Sequence, residues 1–347
     1  MKNATDRLLI IGCGHWGRNY VRTFAQLLGA SRVAVADANP KALDAIAAAH
    51  PGVETTADAS GAIRSGAFAA AVVATPASTH HALVRDCLAT GLDVLAEKPL
   101  TLNVAEARAL ASAARRRKRI LMVGHTFLYN PSVRKVRELI DKGAAGRIYY
   151  MTATRTHLGL VRPDVNAAWD LAPHDVSIFN YFAGRLPVAV SAMGASFLKK
   201  DREDVAFIHL EYPGPVVGQI HVSWADSNKQ RTVAVVGSDA RIVFDDLDAL
   251  ERVKIFEKGI SANLAGGDSF GEFLFSLRDG DIISPRVAYS EPLLEMCKEF
   301  LDCVKTRRQP LSNGDTGVDV VRVMCAIEQS LEQGGKRVLV GARKGTA

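Results

Sequence analysis

The stretch Leu8-Leu9-Ile10-Ile11-Gly12-Cys13-Gly14-His15-Trp16-Gly17 decides the fold. Four apolar residues in a row read as a strand buried on both faces. A G-x-G-x-x-G pattern follows at once, and a helix-like stretch runs on to about Leu28. Such a pattern is weak alone. Here it stands between strand and helix, and Asp37 closes the next apolar run, Val33 to Ala36. In that arrangement the first glycine makes the tight turn, the second lets the backbone approach a pyrophosphate, and the third lets helix pack on strand. The helix N-terminus offers its free N–H groups to the phosphates. A carboxylate at Asp37 accepts the adenine-ribose hydroxyls and repels a 2′-phosphate, which predicts NAD rather than NADP. Gly12, Gly14, His15, Trp16, Gly17 and Asp37 are the expected cofactor contacts.

Outward from this stretch, apolar runs recur at Ala69–Ala74, Asp93–Ala96 and Ile120–Val123, with helix-like segments at Pro40–Ala49, Thr79–Thr90 and Val104–Ala114. Continuous apolar strands alternating with helices predict a doubly wound parallel sheet. After about Gly124 the pattern changes. Strand-like stretches at Arg147–Thr156, Val188–Phe197, Val205–Tyr212, Val216–Ala225, Thr232–Gly237 and Arg241–Asp245 follow one another through short turns. Helical patterns recur at Pro131–Lys142, His174–Ala183, Pro292–Thr306 and Thr316–Gln333. The reading is α/β: a Rossmann domain over 1–123 and an α+β domain with an antiparallel or mixed sheet over 124–347.

The chain has 347 residues, 48% hydrophobic and 23% charged. That is ordinary globular composition for about two domains, and it excludes a disordered chain or a fibrous repeat. Its five cysteines, Cys13, Cys87, Cys297, Cys303 and Cys325, form no C-x-x-C pair and predict reduced thiols in the cytoplasm. No apolar run is long enough to span a bilayer, and Met1 to Arg7 lacks the regions of a signal peptide. A net charge of +6 is too mild to predict nucleic acid, and it suits an acidic small molecule. The basic run Arg115 to Arg119 reads as a solvated helix end.

Several constellations carry chemistry. Thr75-Pro76 ends a strand and belongs with the nicotinamide-ribose neighbours. His80 and His81 follow on a helix, where adjacent residues face different directions, so a metal is not expected and His80 is assigned to the cofactor edge. Glu97-Lys98-Pro99 directly follows strand Val94-Leu95-Ala96. A lysine there can bond a substrate oxygen and stabilise developing negative charge, with Glu97 orienting it or contacting the ribose. His125, Tyr129 and Asn130 are substrate-binding candidates in Gly124–Pro131, with a capped hinge as the alternative. In Trp169-Asp170-Leu171-Ala172-Pro173-His174-Asp175, Asp170 and His174 are four apart, on one helix face. A carboxylate beside an imidazole raises its basicity, which suits a base that deprotonates a hydroxyl. Trp169 is counted with the cofactor contacts. Arg155, Arg162, Lys199, Lys200 and Arg231 are candidates to hold a diphosphate.

Taken together, these residues resemble the Gfo/Idh/MocA oxidoreductase family, on Gly12-x-Gly14-x-x-Gly17, Glu97-Lys98-Pro99 and Asp170-x-x-x-His174. The resemblance implies a Rossmann domain, then an α+β domain with a large open sheet. It implies hydride transfer between a nicotinamide cofactor and a sugar or cyclitol carbon. Lys98 matches the family's catalytic lysine, His174 its acid/base histidine and Asp170 the acidic partner, and a cis Lys98–Pro99 bond is implied. Where many members carry a glycine run, this chain has Asn166-Ala167-Ala168-Trp169. The Trp-Asp-Leu-x-Pro-His-Asp form resembles the nucleotide-sugar branch, and within it oxidation at C3 of UDP-N-acetylglucosamine, as in lipid A biosynthesis. The alternatives are another sugar, an inositol or a dTDP-sugar as substrate, or a non-catalytic NAD-binding sensor. Two-sided apolarity in Val205–Leu210 and Thr232–Val236, with the family's habit, predicts a homodimer or homotetramer on the open sheet face. The alternative cover for that face is the helix Pro292–Thr306.

Overall fold

A computed structural model describes residues 7–159, 161–162, 164–200, 202–262 and 275–341. Residues 1–6, on which the reading of the polar N-terminus falls, lie outside them.

The chain divides into two compact units, Met1–Tyr129 with Ser290–Cys325, and Asn130–Tyr289 with Ala326–Ala347. In the first, strands β1 (Leu8–Ile11), β2 (Val33–Ala36), β3 (Glu54–Thr56), β4 (Ala70–Val73), β5 (Asp93–Ala96) and β6 (Leu121–Val123) form a parallel sheet in the order β3-β2-β1-β4-β5-β6. Helices α1 (His15–Leu28), α2 (Pro40–Ala49), α3 (Ala59–Arg64), α4 (Ala77–Ala89) and α5 (Val104–Arg116) connect the strands. Every residue of β1, β2, β4 and β5 is buried, as continuous apolar runs require. One core layer joins Leu9, Ile11, Val73 and Val94 to Val84, Leu88 and Leu110 of α4 and α5. Each such side chain contributes roughly 1.5–3 kcal/mol. The strand order reverses between β1 and β4, and in such sheets ligands bind at the carboxyl ends beside that reversal. β3 and α3 escaped the sequence reading, because Glu54-Thr55-Thr56 is half-exposed and carries no apolar signal.

The second unit opens with α6 (Pro131–Asp141), β7 (Ile148–Leu158) and α7 (Ala167–Ala183). It continues through β8 (Ala189–Ala195), β9 (Val205–Glu211), β10 (Val217–Ser223), β11 (Ala225–Gly237), β12 (Arg241–Asp245) and β13 (Val253–Phe256). β14 (Gly259–Ala262) and β15 (Phe275–Arg278) form a separate pair, and β16 (Ile282–Ile283) follows. With β17 (Val338–Leu339) the large sheet runs β16-β13-β12-β11-β7-β10-β9-β8-β17. Its pairs are antiparallel except β7 with β10, so the sheet is mixed. β11 starts earlier than its apolar part predicts. Asp226 to Lys229 are polar, and the ladder to β7 is irregular between Ala225 and Gln230.

Two readings are corrected. The division is discontinuous rather than a cut at 123/124. Helices α8 (Pro292–Thr306) and the first part of α9 (Gly314–Glu332) belong to the first unit. Phe300 of α8 meets Phe24 of α1 edge-on, Arg307 bonds Asp93, and Ser312 bonds the Val123 carbonyl, so long-range packing draws this segment back. Second, α7 begins at Ala167 under an Asn166 cap, and Pro173 lies inside it rather than in its first turn.

Candidate active site

The first unit's site is built on the loops after β1, β4 and β5. Gly12 has φ +90°, and a Cβ on it would stand 2.7 Å from the Ala74 carbonyl oxygen. A Cβ on Gly17 would stand 2.0 Å from the Gly12 carbonyl oxygen. Both glycines are fixed by close backbone approach. Gly14 differs: a Cβ there meets nothing within 4 Å. It caps α1 without a side-chain hydrogen bond, and the first turn holds no acidic residue. An open backbone cradle at an uncapped helix start is what an anion needs. His15 and Trp16 flank it, Trp16 42% exposed. Asp37 accepts hydrogen bonds from the Cys13 N–H at 2.7 Å and the Asn39 N–H at 2.8 Å. Partial burial pushes its pKa up, but these N–H donors prevail and hold it below the usual carboxylate range. Burial, and then the Asp37 carboxylate, push the neighbouring Cys13 thiol up to about 12.

The loop after β5 is held from behind. Tyr20 on α1 donates its hydroxyl to Glu97 Oε1 at 2.6 Å, and the Lys98 N–H donates to Glu97 Oε2 at 3.0 Å. Glu97 is thus an internal anchor for the lysine's backbone. Lys98 itself is half-buried, and the Lys98–Pro99 bond is cis. Thr75 is half-buried and Pro76 exposed at the end of β4. His80 is buried, its ring nitrogens against the Pro99 and Thr75 carbonyls. His125, after β6, is buried too, and neither ring nitrogen has a hydrogen-bond partner among the described residues. Burial, then the nearby Lys98 charge, lower its pKa to about 3.

Tyr129 and Asn130 both have partners within the protein. Tyr129 is buried with its hydroxyl on Ser312 at 2.9 Å. Asn130 caps α6 by accepting the Ser132 N–H at 2.9 Å, and it donates to Asp246. The expected cap on the helix after Asn130 is present.

In the second unit, Asp170 and His174 lie one helical turn apart on α7, both half-buried. Asp170 accepts from Arg162 Nη1 and from the Trp224 indole N–H, each at 3.2 Å. Arg155 is buried beside α7. It makes a buried two-pronged pair with Asp175, Nε to Oδ2 2.9 Å and Nη2 to Oδ1 2.8 Å. Such a fork is the strong, geometrically specific form of an arginine–carboxylate pair. Arg162 also pairs with Asp164, and Arg231 with Asp246, while Lys199 and Lys200 are exposed. Trp169 is buried, with Glu328 beside it.

The oxidoreductase family model with an NAD-binding Rossmann fold matches residues 7–125, and the GFO/IDH/MocA C-terminal domain model matches residues 133–243. The chain belongs to the Gfo/Idh/MocA oxidoreductase family. It is 30% identical over 201 residues to inositol 2-dehydrogenase of Rhizobium meliloti (strain 1021), a match that covers 56% of this chain and 60% of that enzyme. It is 24% identical over 331 residues to UDP-N-acetylglucosamine 3-dehydrogenase of Acidithiobacillus ferrooxidans, covering 93% of this chain and 96% of that one. The structure of GenD2 from gentamicin A biosynthesis in complex with NAD superposes with a TM-score of 0.80 at 25% identity, covering 97% of each chain.

For this Gfo/Idh/MocA chain the cofactor is NAD, and the residues fit it: the open Gly14 cradle for the pyrophosphate and the Asp37 carboxylate for the adenine ribose. Among the described residues no cluster of three or more His, Cys, Asp or Glu is placed to hold a metal ion. No helix of the described residues is long and apolar enough to cross a membrane. Sequence reasoning missed Tyr20, Trp224 and Asp175, which hold Glu97, Asp170 and Arg155. Tyr20 and Trp224 stand in no motif, and Asp175 ends one without its partner Arg155 being marked, because each partner is distant in sequence.

Proposed function

We propose that the chain oxidises one secondary hydroxyl of a nucleotide-sugar to a ketone, with C3 of UDP-N-acetylglucosamine as the leading substrate. What carries the reading is Lys98, set on an anchored loop at the carboxyl end of β5 in an NAD-binding unit, in a chain matching a UDP-N-acetylglucosamine 3-dehydrogenase over 96% of its length. Bound NAD supplies the hydride acceptor. The Lys98 ammonium bonds the substrate oxygen and stabilises negative charge on it. With Lys98 as the ammonium, the hydroxyl proton passes to His174, which has Asp170 on the same helix face; with Lys98 as the neutral amine, it passes to Lys98 instead. Arg155, Arg162, Lys199, Lys200 and Arg231 are the basic candidates for a diphosphate, and of these Lys199 and Lys200 are the exposed ones. Oxidation of a cyclitol is the second reading, favoured by the 30% identity to an inositol 2-dehydrogenase.

The test is NADH formation, followed by absorbance, with UDP-N-acetylglucosamine, other UDP- and dTDP-sugars, free sugars and myo-inositol. Turnover of myo-inositol alone rejects the nucleotide-sugar reading. Lys98→Met is expected to keep the fold and NAD binding and to lose about 10²–10⁴ in turnover. Near-normal turnover removes Lys98 from the mechanism. The protein is proposed to work in the cytoplasm, with its five thiols free, as a homodimer or homotetramer.

A further inference from the structure

One imidazole meets two carbonyl oxygens behind the lysine loop. His80, on α4, places Nδ1 at 2.8 Å from the Pro99 carbonyl oxygen and Nε2 at 2.9 Å from the Thr75 carbonyl oxygen. The ring is buried. A proton on Nδ1 donates to Pro99, a proton on Nε2 donates to Thr75, and an imidazolium donates to both. The two carbonyls belong to different loops. Thr75 follows β4, and a Cβ on Gly12 would touch its side chain. Pro99 follows Lys98 after β5, the strand paired with β4. Thr79, next to His80, also bonds the first loop, donating to the Pro76 carbonyl at 2.7 Å.

Lys98 therefore has a clamp on each side. Glu97, itself held by Tyr20, accepts its N–H, and His80 faces the carbonyl of the residue after it. A clamp on both flanks fixes where a flexible side chain starts from, and a displacement of about 1 Å at such a group can cost on the order of 10²-fold in rate. We infer that His80 is a positioning residue, which locks the Lys98 loop to the cofactor-side loop after β4 through the Pro99 carbonyl. The inference rests on the reading of Lys98 as the group that bonds the substrate oxygen.

The two nitrogens can be tested separately, because an Asn side-chain amide reproduces a donor at Nδ1 and a Gln amide one at Nε2. His80→Asn keeps the donor to Pro99, and His80→Gln keeps only the donor to Thr75. Three measurements are made on the full chain: amide hydrogen exchange over residues 94–101, NADH affinity by fluorescence titration, and initial rates with NAD and UDP-N-acetylglucosamine or myo-inositol, whichever the wild type oxidises. His80→Gln is expected to exchange faster over 94–101 and to lose roughly ten- to hundredfold in kcat, with KM for the sugar and NADH affinity changed by less than about threefold. His80→Asn is expected to stay near wild type in all three. Equal behaviour of the two variants overturns the inference, as does a loss confined to NADH affinity. Should neither sugar be oxidised, unchanged exchange in His80→Gln overturns it alone. If Lys98→Met is inactive while His80→Gln is normal, only this inference fails. If Lys98→Met is fully active, the role of Lys98 fails, whatever the exchange data show.

Discussion

At Asp37 a single carboxylate does two jobs. Its oxygens accept the Cys13 and Asn39 N–H groups, which fixes it at the end of β2, and its charge is proposed to meet the ribose end of the cofactor. A 2′-phosphate brought beside it incurs like-charge repulsion, so Asp37→Ser is expected to raise the NADP-to-NAD ratio of kcat/KM by about 10–10²-fold, at some loss of stability. A wild type that uses both cofactors equally contradicts this. Because its pKa is depressed in the folded state, Asp37 stabilises the fold above the ordinary carboxylate range, and that contribution is lost as pH falls through its lowered value. His125 runs in a related sense. Its folded pKa is lowered to about 3, whereas an unfolded histidine titrates near 6.5. Between those values the unfolded chain binds a proton that the folded chain does not, so stability falls as the medium is acidified. His125→Phe is expected to remove up to about 1.4 kcal/mol per pH unit of that slope between pH 6 and 4, measured by urea unfolding. Identical slopes in the two proteins would place the His125 ring outside its buried site.

The turn between β1 and α1 shows how one element divides its glycines between fold and ligand. Gly12 and Gly17 are confined by backbone, but Gly14 faces open space. Gly17→Ala is therefore expected to lower Tm by roughly 5–10 °C, since neither the Gly12 carbonyl nor α1 has room to yield. Gly14→Ala is expected to leave Tm within about 2 °C and to weaken NADH binding about tenfold, as read by fluorescence titration. Equal losses of stability in both variants would refute the assignment of Gly14 to the cofactor. Helix α7 makes a comparable point. Pro173 lacks an N–H and in sequence argues for a helix start, yet the helix begins at Ala167 because Asn166 accepts the Trp169 N–H. Asp170 and His174 share a helix face because the helix starts this early; a start at His174 would leave Asp170 outside it.

For the whole molecule, the decisive surface is the outer face of the nine-stranded sheet. Ala206, Ile208 and Leu210 of β9 point into the second unit and are buried. Phe207, between them, is 50% exposed, opposite Met193 of β8, 66% exposed, and stacked on His221 of β10 at 4.4 Å. Tyr150 and Val217 are exposed on β7 and β10. Apolar side chains aligned across neighbouring strands mark an interface more often than a solvated face. Phe207→Asp is expected to reduce the mass seen by light scattering to that of one chain, 37.3 kDa. A wild type that scatters as a single chain at micromolar concentration defeats the homo-oligomer.

What the sequence determined by itself was local in origin. Four apolar residues directly before G-x-G-x-x-G make strand, turn and helix legible because the whole pattern lies in ten consecutive positions, although the strands beside β1 and the Ala74 carbonyl against Gly12 come from farther along the chain. Asp37, Lys98 and the Asp170–His174 spacing were legible for the same reason: each stands at a strand end or on one helix face. Tertiary structure alone decided which polar residues are already spoken for. Tyr129 is claimed by Ser312, Asn130 by Asp246 and its own helix, Arg155 by Asp175 and Glu97 by Tyr20, over separations that no periodicity encodes. It also decided that α8 returns to the first unit. The physical reason is common to all of them. A buried polar or aromatic group must find a partner wherever the folded chain brings one, and the sequence lists the candidates without saying which of them meet.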